Sequence, residues 1–306
     1  MASVLHRPSD TPSRPPLRGD LRYNEPLSHY TSWRVGGNAD RLYLPADAED
    51  LAAFLHSLAV SEPVFFLGLG SNLLVRDGGI RGTVICTKNR LKHMRVMAAD
   101  RVYAEAGVPS AQVAKFCSAQ RLAGAEFLAG IPGTLGGALA MNAGAFGGET
   151  WPLVERLIMV DRLGNFVGRV PSEFGVGYRT VSGPADEWFV AAELRLHPGE
   201  PEISCSRMKS LLAARAEKQP IQQPSCGSVF RNPPGDFAAR LIEASGLKGV
   251  SIGGAQVSEK HANFIVNTGS ATAQEIETLM QLVRDRVGAL QGIWLEPECR
   301  IVGEAR

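Results

Sequence analysis

The chain has 306 residues, which at roughly 100–200 residues per domain predicts two or three domains. Lysine and arginine total 32 against 31 acidic residues, and this net charge of +1 argues against a binder of nucleic acid or another polyanion. A hydrophobic fraction of 44 % and a charged fraction of 21 % predict a sizeable core and exclude wholesale disorder.

The termini and cysteines indicate the compartment. No stretch approaches the ~18 consecutive apolar residues of a membrane span, and the N-terminus lacks the apolar segment of a secretory signal. Residues 1–20, rich in Pro, Ser and Arg, are predicted to be a disordered lead-in. Five scattered cysteines without a CxxC argue against a disulfide framework or a zinc cage. We expect a cytoplasmic enzyme, a monomer or weak dimer, with no metal, nucleic-acid or membrane partner.

Hydrophobic periodicity predicts the first elements after the lead-in. A helix begins near Asp47, which can cap it, and the apolar run Val64–Leu67 is a buried strand. Arg101–Gly107 alternates like a strand. Ala111–Leu122 is a predicted helix with Gly124 just past its end.

The next segments predict antiparallel strands and then a domain boundary. Leu153–Asp161 and Phe166–Val170 flank the turn Gly164-Asn165, which is typical of a hairpin. Trp188–Leu196 places alternate apolar residues on one face, as in a strand. Charge and turn residues then concentrate at His197–Pro201, where we place the main domain boundary.

Three helices are predicted beyond that boundary, and the last has the clearest pattern because Thr272 and Glu275 form a capping box. They span Met208–Lys218, Asp236–Ser245 and Thr272–Leu290. Helices and strands mix without steady βαβ alternation, so the predicted fold class is α+β rather than a doubly wound sheet.

The first of two glycine segments reads Gly68-Leu69-Gly70-Ser71-Asn72. It resembles the start of GxGxxG, but Leu73 occupies the third glycine position and a turn at Gly78-Gly79 follows instead of a helix. A Rossmann site needs a strand, a glycine turn and a helix, so this segment does not form one. The chain also lacks the GxxxxGK[ST] pattern of a P-loop.

The second glycine segment, Gly130–Gly148, holds seven glycines in 19 residues. Glycine lets backbone N–H groups approach a ligand, and Thr134, Ser71 and Asn72 add short polar groups that can bind phosphate or ribose. Two interpretations stay open on this pattern: tight turns with close-packed small residues, or a dinucleotide site held mainly by main-chain dipoles.

Six segments in order give the chain from about Tyr23 a specific resemblance. It resembles the UDP-N-acetylenolpyruvoylglucosamine reductase family, and its N-terminal half resembles the flavin-binding domain of the vanillyl-alcohol oxidase and p-cresol methylhydroxylase class. The matching segments are TSWRVGG from Thr31, GLGSNLLV from Gly68, AGIPGTLGGALAMNAGAFGGE from Ala129, Gly177-Tyr178-Arg179, CGSVFRNP from Cys226 and LEPECR from Leu295.

The resemblance implies a two-part FAD-binding domain over residues 21–200, divided at about 87/88, and a substrate-binding domain over 201–306. It also implies non-covalent FAD, with NADPH as co-substrate. The implied reaction is the reduction of UDP-GlcNAc enolpyruvate to UDP-N-acetylmuramate in peptidoglycan precursor synthesis. In that reaction flavin N5 delivers hydride to the enolpyruvyl methylene carbon.

Three positions match the family's catalytic residues, and their chemistry suits the reaction. Arg179 carries a permanent charge that can stabilise the enolpyruvyl carboxylate, and Glu298 could assist in protonated form if burial raises its pKa. Ser228 would donate the proton to carbon. From the pattern alone Arg179 could be a surface ion pair and Ser228 a turn cap, and only the resemblance selects Glu298 over Glu296.

Further positions are carried over from the family residue by residue. Those matching cofactor-binding positions are Arg34, Gly36, Gly68, Gly70, Ser71, Asn72, Leu73, Ile131, Pro132, Gly133, Thr134, Gly136, Gly137, Asn142, Gly144 and Arg300. Those matching substrate-binding positions are Tyr178, Lys218, Asn232, His261 and Asn263. Cys226 and Cys299 adjoin the catalytic residues and are expected to be packing thiols.

One departure concerns a loop that closes over substrate in some members of the family. Only eight residues separate Arg179 from the strand at Trp188, which leaves no room for that tyrosine-bearing segment. The chain resembles the subtype without the loop. Two competing functions stay open: another flavin oxidoreductase of the same fold acting on an alcohol or 2-hydroxy acid, and a non-enzymatic nucleotide-binding module.

Overall fold

The computed structural model describes residues 16–306, and the first 15 residues, most of the predicted lead-in, lie outside it. Part of that lead-in is bound to the domain that follows. The Arg18 main-chain N–H donates to Asp50 Oδ1 (2.7 Å), and the first strand begins at Asp20. None of the helices among residues 16–306 is long and apolar enough to cross a membrane.

Six α-helices form within the described residues. They are α1 (Ala48–Ser57), α2 (Ser110–Ala119), α3 (Leu135–Met141), α4 (Pro201–Lys218), α5 (Ala238–Ala244) and α6 (Ala273–Gln291). Short 3₁₀ turns occupy Leu27–Tyr30, Glu126–Gly130, Trp151–Leu153 and Pro171–Glu173.

Twenty strands accompany these helices in the described part of the chain. They are β1 (Asp20–Pro26), β2 (Asn38–Leu44), β3 (Val64–Leu67), β4 (Leu73–Val75), β5 (Ile80–Cys86), β6 (Met94–Ala98), β7 (Arg101–Glu105), β8 (Leu122–Ala123), β9 (Gly144–Ala145), β10 (Gly148–Glu149), β11 (Val154–Asp161), β12 (Phe166–Arg169), β13 (Gly175–Gly177), β14 (Thr180–Ser182), β15 (Glu187–Arg195), β16 (His197–Pro198), β17 (Ser251–Ile252), β18 (Ala255–Val257), β19 (Ile265–Asn267) and β20 (Arg300–Val302).

Two sheets build the N-terminal part and confirm the α+β class. The first has the order β1-β2-β5-β3, and the second is antiparallel with the order β12-β11-β15-β7-β6. Helix α1 begins where predicted, because the Asp47 side chain accepts from the Asp50 N–H (2.9 Å). Its apolar face, with Phe54 and Leu55, packs in one core with Val160 and Val190 of the second sheet. The two sheets are therefore joined by a continuous apolar layer.

Two helix ends differ from the sequence prediction. Helix α2 stops at Ala119 rather than continuing to Leu122, because Arg121 adopts a left-handed conformation (φ 59°) and Leu122 pairs in β8. Helix α4 begins at Pro201, seven residues before the predicted start, since proline is well suited to a first helical turn. Its Met208 is buried in the core of the second sheet.

The C-terminal part packs α5 and α6 on the small sheet β17-β18-β19. The capping box predicted at the start of α6 is confirmed, with Thr272 Oγ1 accepting from the Glu275 N–H (3.1 Å). This core also contains Trp33, which comes from the N-terminal part of the chain. The Trp33 indole N–H donates to the carbonyl of Ile265 (2.7 Å), and Asn267 Nδ2 donates to the Trp33 carbonyl (2.9 Å).

Replacing Trp33 by Ala should therefore destabilise the whole molecule. The side chain is fully buried, and truncation of such a residue costs about 3–5 kcal/mol. We expect the urea midpoint, followed by tryptophan fluorescence and circular dichroism, to fall sharply. The control Trp294→Ala removes an indole that is 60 % exposed and should cost less than about 1 kcal/mol. Equal shifts for the two variants would contradict the anchoring role of Trp33.

Candidate active site

The two glycine segments meet in the folded chain. A Cβ atom at Gly68 would collide with the Thr134 hydroxyl, and one at Gly133 would lie 3.5 Å from Ser71 Oγ. Thr134 caps α3 by accepting from the Gly137 N–H (3.4 Å). Because no side chain separates them at these points, the segments form one surface with exposed main chain.

A larger cavity of about 400 Å³ lies along this surface. Five of the predicted cofactor-binding residues line it: Gly68, Thr134, Gly136, Gly137 and Arg300. The opposite walls are apolar and come from both sheets: Phe65, Phe66, Met159, Phe174, Trp188 and Phe189. Apolar walls around a few polar groups are typical of cofactor sites.

A smaller cavity of about 170 Å³ brings the three predicted catalytic residues together. Arg179 comes from the N-terminal part, whereas Ser228 and Glu298 come from the C-terminal part. Five predicted cofactor-binding residues also line this cavity: Ser71, Asn72, Ile131, Pro132 and Gly144. The two glycine segments thus form walls of both cavities.

Main-chain pairing places Ser228 beside Glu298. The Glu298 N–H donates to the carbonyl of Val229 (2.7 Å), and Phe230 bridges to Pro297. The Asn263 side chain fixes this segment from behind, because its Oδ1 accepts from the Phe230 N–H (2.9 Å) and its Nδ2 donates to the Phe230 carbonyl (2.8 Å). Asn263 is 3 % exposed, so these contacts give it a scaffolding role, and its contact with substrate stays a prediction.

Arg179 occupies the tip of the hairpin β13–β14. Gly177 pairs with Thr180, so Tyr178 and Arg179 form a two-residue turn, and Arg179 adopts the left-handed conformation (φ 53°). Its Nη2 donates to the Gly144 carbonyl (3.0 Å), and its Nε lies 3.0 Å from Glu298 Oε1. Arg179 and Glu298 therefore form a partly buried ion pair, and the charge of Arg179 lowers the pKa of Glu298.

Burial raises the pKa of Glu298 above its ordinary value, although the positive charges of Arg179 and Arg231 oppose the shift. A raised pKa favours the protonated form of Glu298, as the sequence analysis required for its assisting role. Glu296 is exposed, and its main-chain carbonyl accepts from the Arg231 N–H (2.9 Å). Glu298 rather than Glu296 lines the smaller cavity, and its catalytic role stays a prediction.

The neighbouring cysteines pack as expected. Cys226 is 4 % exposed and Cys299 is 5 % exposed, and both belong to the core of the C-terminal part. Burial, with the adjacent Cys299 thiol, raises the pKa of the Cys226 thiol well above its ordinary value. Such a thiol carries little thiolate and is a poor nucleophile.

Several predicted cofactor-binding residues line neither cavity. The exposed side chain of Arg34 and the adjacent Gly36 belong to the segment that inserts Trp33 into the C-terminal core. Gly70 adopts φ 68°, and a Cβ there would collide with the Tyr30 carbonyl, so this glycine is needed for the turn. Leu73 is buried in β4, where it pairs with Arg300.

Asn142 ends α3 in a left-handed conformation (φ 45°) and is buried. Its Nδ2 donates to Glu149 Oε2 (2.9 Å) and lies 3.3 Å from the Gly177 carbonyl, just before the turn that carries Arg179. Its Oδ1 accepts from the Trp151 N–H (3.2 Å). These contacts give Asn142 a scaffolding role behind the smaller cavity rather than a position on its surface.

The remaining predicted substrate-binding residues lie outside the smaller cavity. Tyr178 and Lys218 are exposed near it, and Asn232 Oδ1 accepts from the Ala238 N–H at the start of α5 (3.1 Å). The His261 ring meets Phe264 edge-on with centroids 4.8 Å apart, and burial lowers the pKa of His261. Its Nδ1 is buried without a hydrogen-bond partner.

The sequence interpretation missed Arg215 and Gln219, which line the smaller cavity. Arg215 Nη1 donates to the Gly130 carbonyl (3.0 Å), and Nε donates to Gln219 Oε1 (2.9 Å). Burial lowers the pKa of Arg215, and no carboxylate within the described residues forms an ion pair with it. Their i, i+4 spacing at the end of α4 was the available signal, because it puts both on one helix face.

Comparison with known proteins assigns the class. A family profile described as "FAD binding domain" matches residues 39–167, which include both glycine segments. A second profile, described as "UDP-N-acetylenolpyruvoylglucosamine reductase, C-terminal domain", matches residues 219–302, which include Ser228 and Glu298. The two matches define the chain as an FAD-dependent oxidoreductase.

Relatives define the family. The chain is 66 % identical to UDP-N-acetylenolpyruvoylglucosamine reductase of Methylococcus capsulatus, over 95 % of this chain and 96 % of the relative. Identity to the Alkalilimnicola ehrlichii enzyme is 61 %, over 94 % and 96 %. The Thermus caldophilus enzyme structure has a TM-score of 0.79 and 33 % identity, over 93 % of this chain and 98 % of that one. The chain belongs to the UDP-N-acetylenolpyruvoylglucosamine reductase family, and the predicted family is confirmed.

The buried carboxyl of Glu298 should leave a signature in the pH dependence of stability. Because its pKa in the folded state is raised, Glu298 contributes stability below pH 4.5, the ordinary glutamate pKa, and loses it as pH rises through the folded value. We expect Glu298→Gln to gain Tm relative to the parent chain between pH 4.5 and neutral pH. The control Glu296→Gln, at an exposed carboxylate, should show no such trend. A Tm difference for Glu298→Gln that shrinks as pH rises would contradict the direction of the shift.

Proposed function

We propose that this chain catalyses NADPH-dependent reduction of UDP-N-acetylglucosamine enolpyruvate to UDP-N-acetylmuramate by way of FAD. The observation that carries the proposal is the meeting of Arg179, Ser228 and Glu298 in one small cavity that shares its walls with the glycine segments. The family relationship supplies the substrate. A cytoplasmic location accompanies the proposal, since the five cysteines are all free.

The residues present fit FAD. Gly68 has no side chain where it packs against Thr134, so main-chain groups are accessible beside the larger cavity, as a diphosphate requires. The aromatic residues that line this cavity suit a planar ring system. Gly68, Thr134, Gly136, Gly137 and Arg300 would hold the cofactor, with Ser71 and Asn72 continuing toward the smaller cavity. When bound, FAD supplies a hydride acceptor for NADPH and then a hydride donor for the enolpyruvyl methylene carbon.

Arg179 carries the electrostatic part of the reaction. Hydride addition to the methylene carbon moves negative charge toward the substrate carboxylate. The Arg179 guanidinium is only 21 % exposed, so water screens its field weakly. The Gly144 carbonyl accepts from Nη2 and orients the group. Arg179 would bind the carboxylate, and protonated Glu298 would donate a further hydrogen bond to the developing charge.

Ser228 is the proton donor in this scheme. Its hydroxyl lines the smaller cavity and has no hydrogen-bond partner among residues 16–306, so its proton is free to reach a bound substrate. The hydroxyl proton moves to the substrate carbon adjacent to the methylene, and the resulting alkoxide is stabilised by nearby cations. Arg179 and Arg215 line the same cavity and supply that charge.

A visible-absorption titration tests the proposed function directly. The purified protein should carry a flavin band that bleaches with NADPH under anaerobic conditions and returns when UDP-GlcNAc enolpyruvate is added. Parallel titration with NADH compares the two nicotinamide donors. A band that bleaches but returns only with O₂ would keep the cofactor and defeat the substrate, in favour of a flavin oxidase. A protein without flavin, even after FAD is added, would defeat the proposal entirely.

Ser228→Ala should separate the two half-reactions. FAD binding and reduction by NADPH should stay within about twofold of the parent chain. The reoxidation of the flavin by the enolpyruvyl ether should fall by roughly two or more orders of magnitude, the scale of lost acid catalysis. Stopped-flow absorbance measures both steps, with Ser206→Ala, an exposed serine on α4, as the control. Equal slowing of both half-reactions would remove Ser228 from the proton-donor role.

A further inference from the structure

Arg231 is a cation beside the active site that neither the sequence pattern nor the proposed reaction uses. It follows Ser228 by three residues, and its main-chain N–H donates to the Glu296 carbonyl (2.9 Å). The side chain is partly buried. The segment that carries Ser228 and the segment that carries Glu298 are therefore joined at Arg231.

The Arg231 side chain reaches the other half of the molecule. Its Nη2 lies 3.3 Å from the main-chain carbonyl of Arg179 and donates to it. That carbonyl belongs to the left-handed residue at the hairpin tip, a conformation that is strained for a non-glycine residue. A hydrogen bond from a charged group is among the stronger contacts available to hold such a residue.

Two other arginines at partly buried positions in this chain pair with carboxylates. Arg76 binds Glu277 with both oxygens, and Arg169 binds Glu187. Arg231 forms no ion pair within the described residues, and its Nε is buried without a hydrogen-bond partner. Its positive charge lowers the pKa of Glu298, against the effect of burial. The charge of Arg231 is thus directed at the catalytic residues rather than neutralised by a structural partner.

We propose that Arg231 is a positioning residue for the reaction: it holds the main chain of Arg179 across the boundary between the two halves and keeps Arg179 and Glu298 in register. The inference rests on the proposed function and adds to it a residue that lines neither cavity. Arg231 acts on the step in which the substrate takes up hydride and a proton, since only that step uses Arg179 and Glu298.

Arg231→Met tests the proposal because it keeps most of the side-chain length but removes the charge and the donor. We expect reoxidation of the flavin by the enolpyruvyl ether to slow roughly 10- to 100-fold, the scale of a misplaced catalytic group. Reduction by NADPH and the FAD content should stay within about twofold. Arg231→Lys, which keeps the charge and a donor, should recover most of the lost rate.

The pH profile of the reoxidation step gives a readout that a merely structural role would not move. The groups that face Glu298 are Arg179, Arg231 and the Cys226 thiol. Because the charge of Arg231 lowers the pKa of Glu298, its removal in Arg231→Met should move the part of the pH profile that reports Glu298 titration to higher pH. Arg231→Lys keeps the charge and should leave this part of the profile where it is in the parent chain. Arg286→Met, at an exposed arginine on α6, is the matched control and should leave rates and profile unchanged.

The outcomes separate this proposal from the function on which it rests. If the parent chain is not reoxidised by UDP-GlcNAc enolpyruvate, the proposed function fails. If the parent chain is reoxidised and Arg231→Met matches it in rate and pH profile, only the positioning role fails. Equal slowing of both half-reactions, or no recovery in Arg231→Lys, would also overturn the positioning role. If Arg231→Met does not fold, the rate and pH profile of Arg231→Lys decide alone. A pH profile of Arg231→Lys that is shifted from that of the parent chain would contradict the role of the charge.

Discussion

The active site depends on the insertion of Trp33 into the core of the C-terminal part. This residue lies between strands β1 and β2 of the first sheet, yet its indole is fully buried in the core of the second half and donates a hydrogen bond to the Ile265 carbonyl. The same boundary is held by Asp77, whose carboxylate accepts from the N–H groups of Ala273 and Gln274 at the start of α6. These contacts help to fix the position of Ser228 and Glu298 relative to Arg179.

The boundary also sets the electrostatics of the smaller cavity. Arg179 and Arg215 line it, Arg231 acts on it, and Glu298 is the carboxylate in its wall. A protonated Glu298 would leave these cations without a counter-charge inside the protein, which favours an anionic substrate and developing negative charge. A strand near the C-terminus reinforces the arrangement. Strand β20 begins just after Glu298 and pairs with β4, which directly follows the first glycine segment.

The sequence predicted correctly several features that depend on residues close together in the chain. The cap at Asp47, the hairpin around Gly164-Asn165 and the capping box of α6 depend on residues within a few positions of one another, and the structure has all three. The family resemblance identified Arg179, Ser228 and Glu298 as a set of candidate catalytic residues. What the sequence could not show depends on tertiary contacts between distant segments. Arg34 and Gly36 match a cofactor motif in sequence and line neither cavity, and the sequence could not show that their segment inserts Trp33 into the C-terminal core.

The proposed proton donor, Ser228, illustrates why these long-range contacts matter for the proposed chemistry. A serine hydroxyl is a weak acid, and Ser228 has no base or charge next to it in sequence, so no local pattern could mark it as reactive. In the proposed mechanism its acidity depends on cations that other elements bring to the cavity: Arg179 from a hairpin tip and Arg215 from the end of α4. Each cation is held by a main-chain carbonyl, of Gly144 and Gly130 respectively. Both carbonyls belong to the second glycine segment, so that segment orients the catalytic charges as well as lining the cofactor cavity.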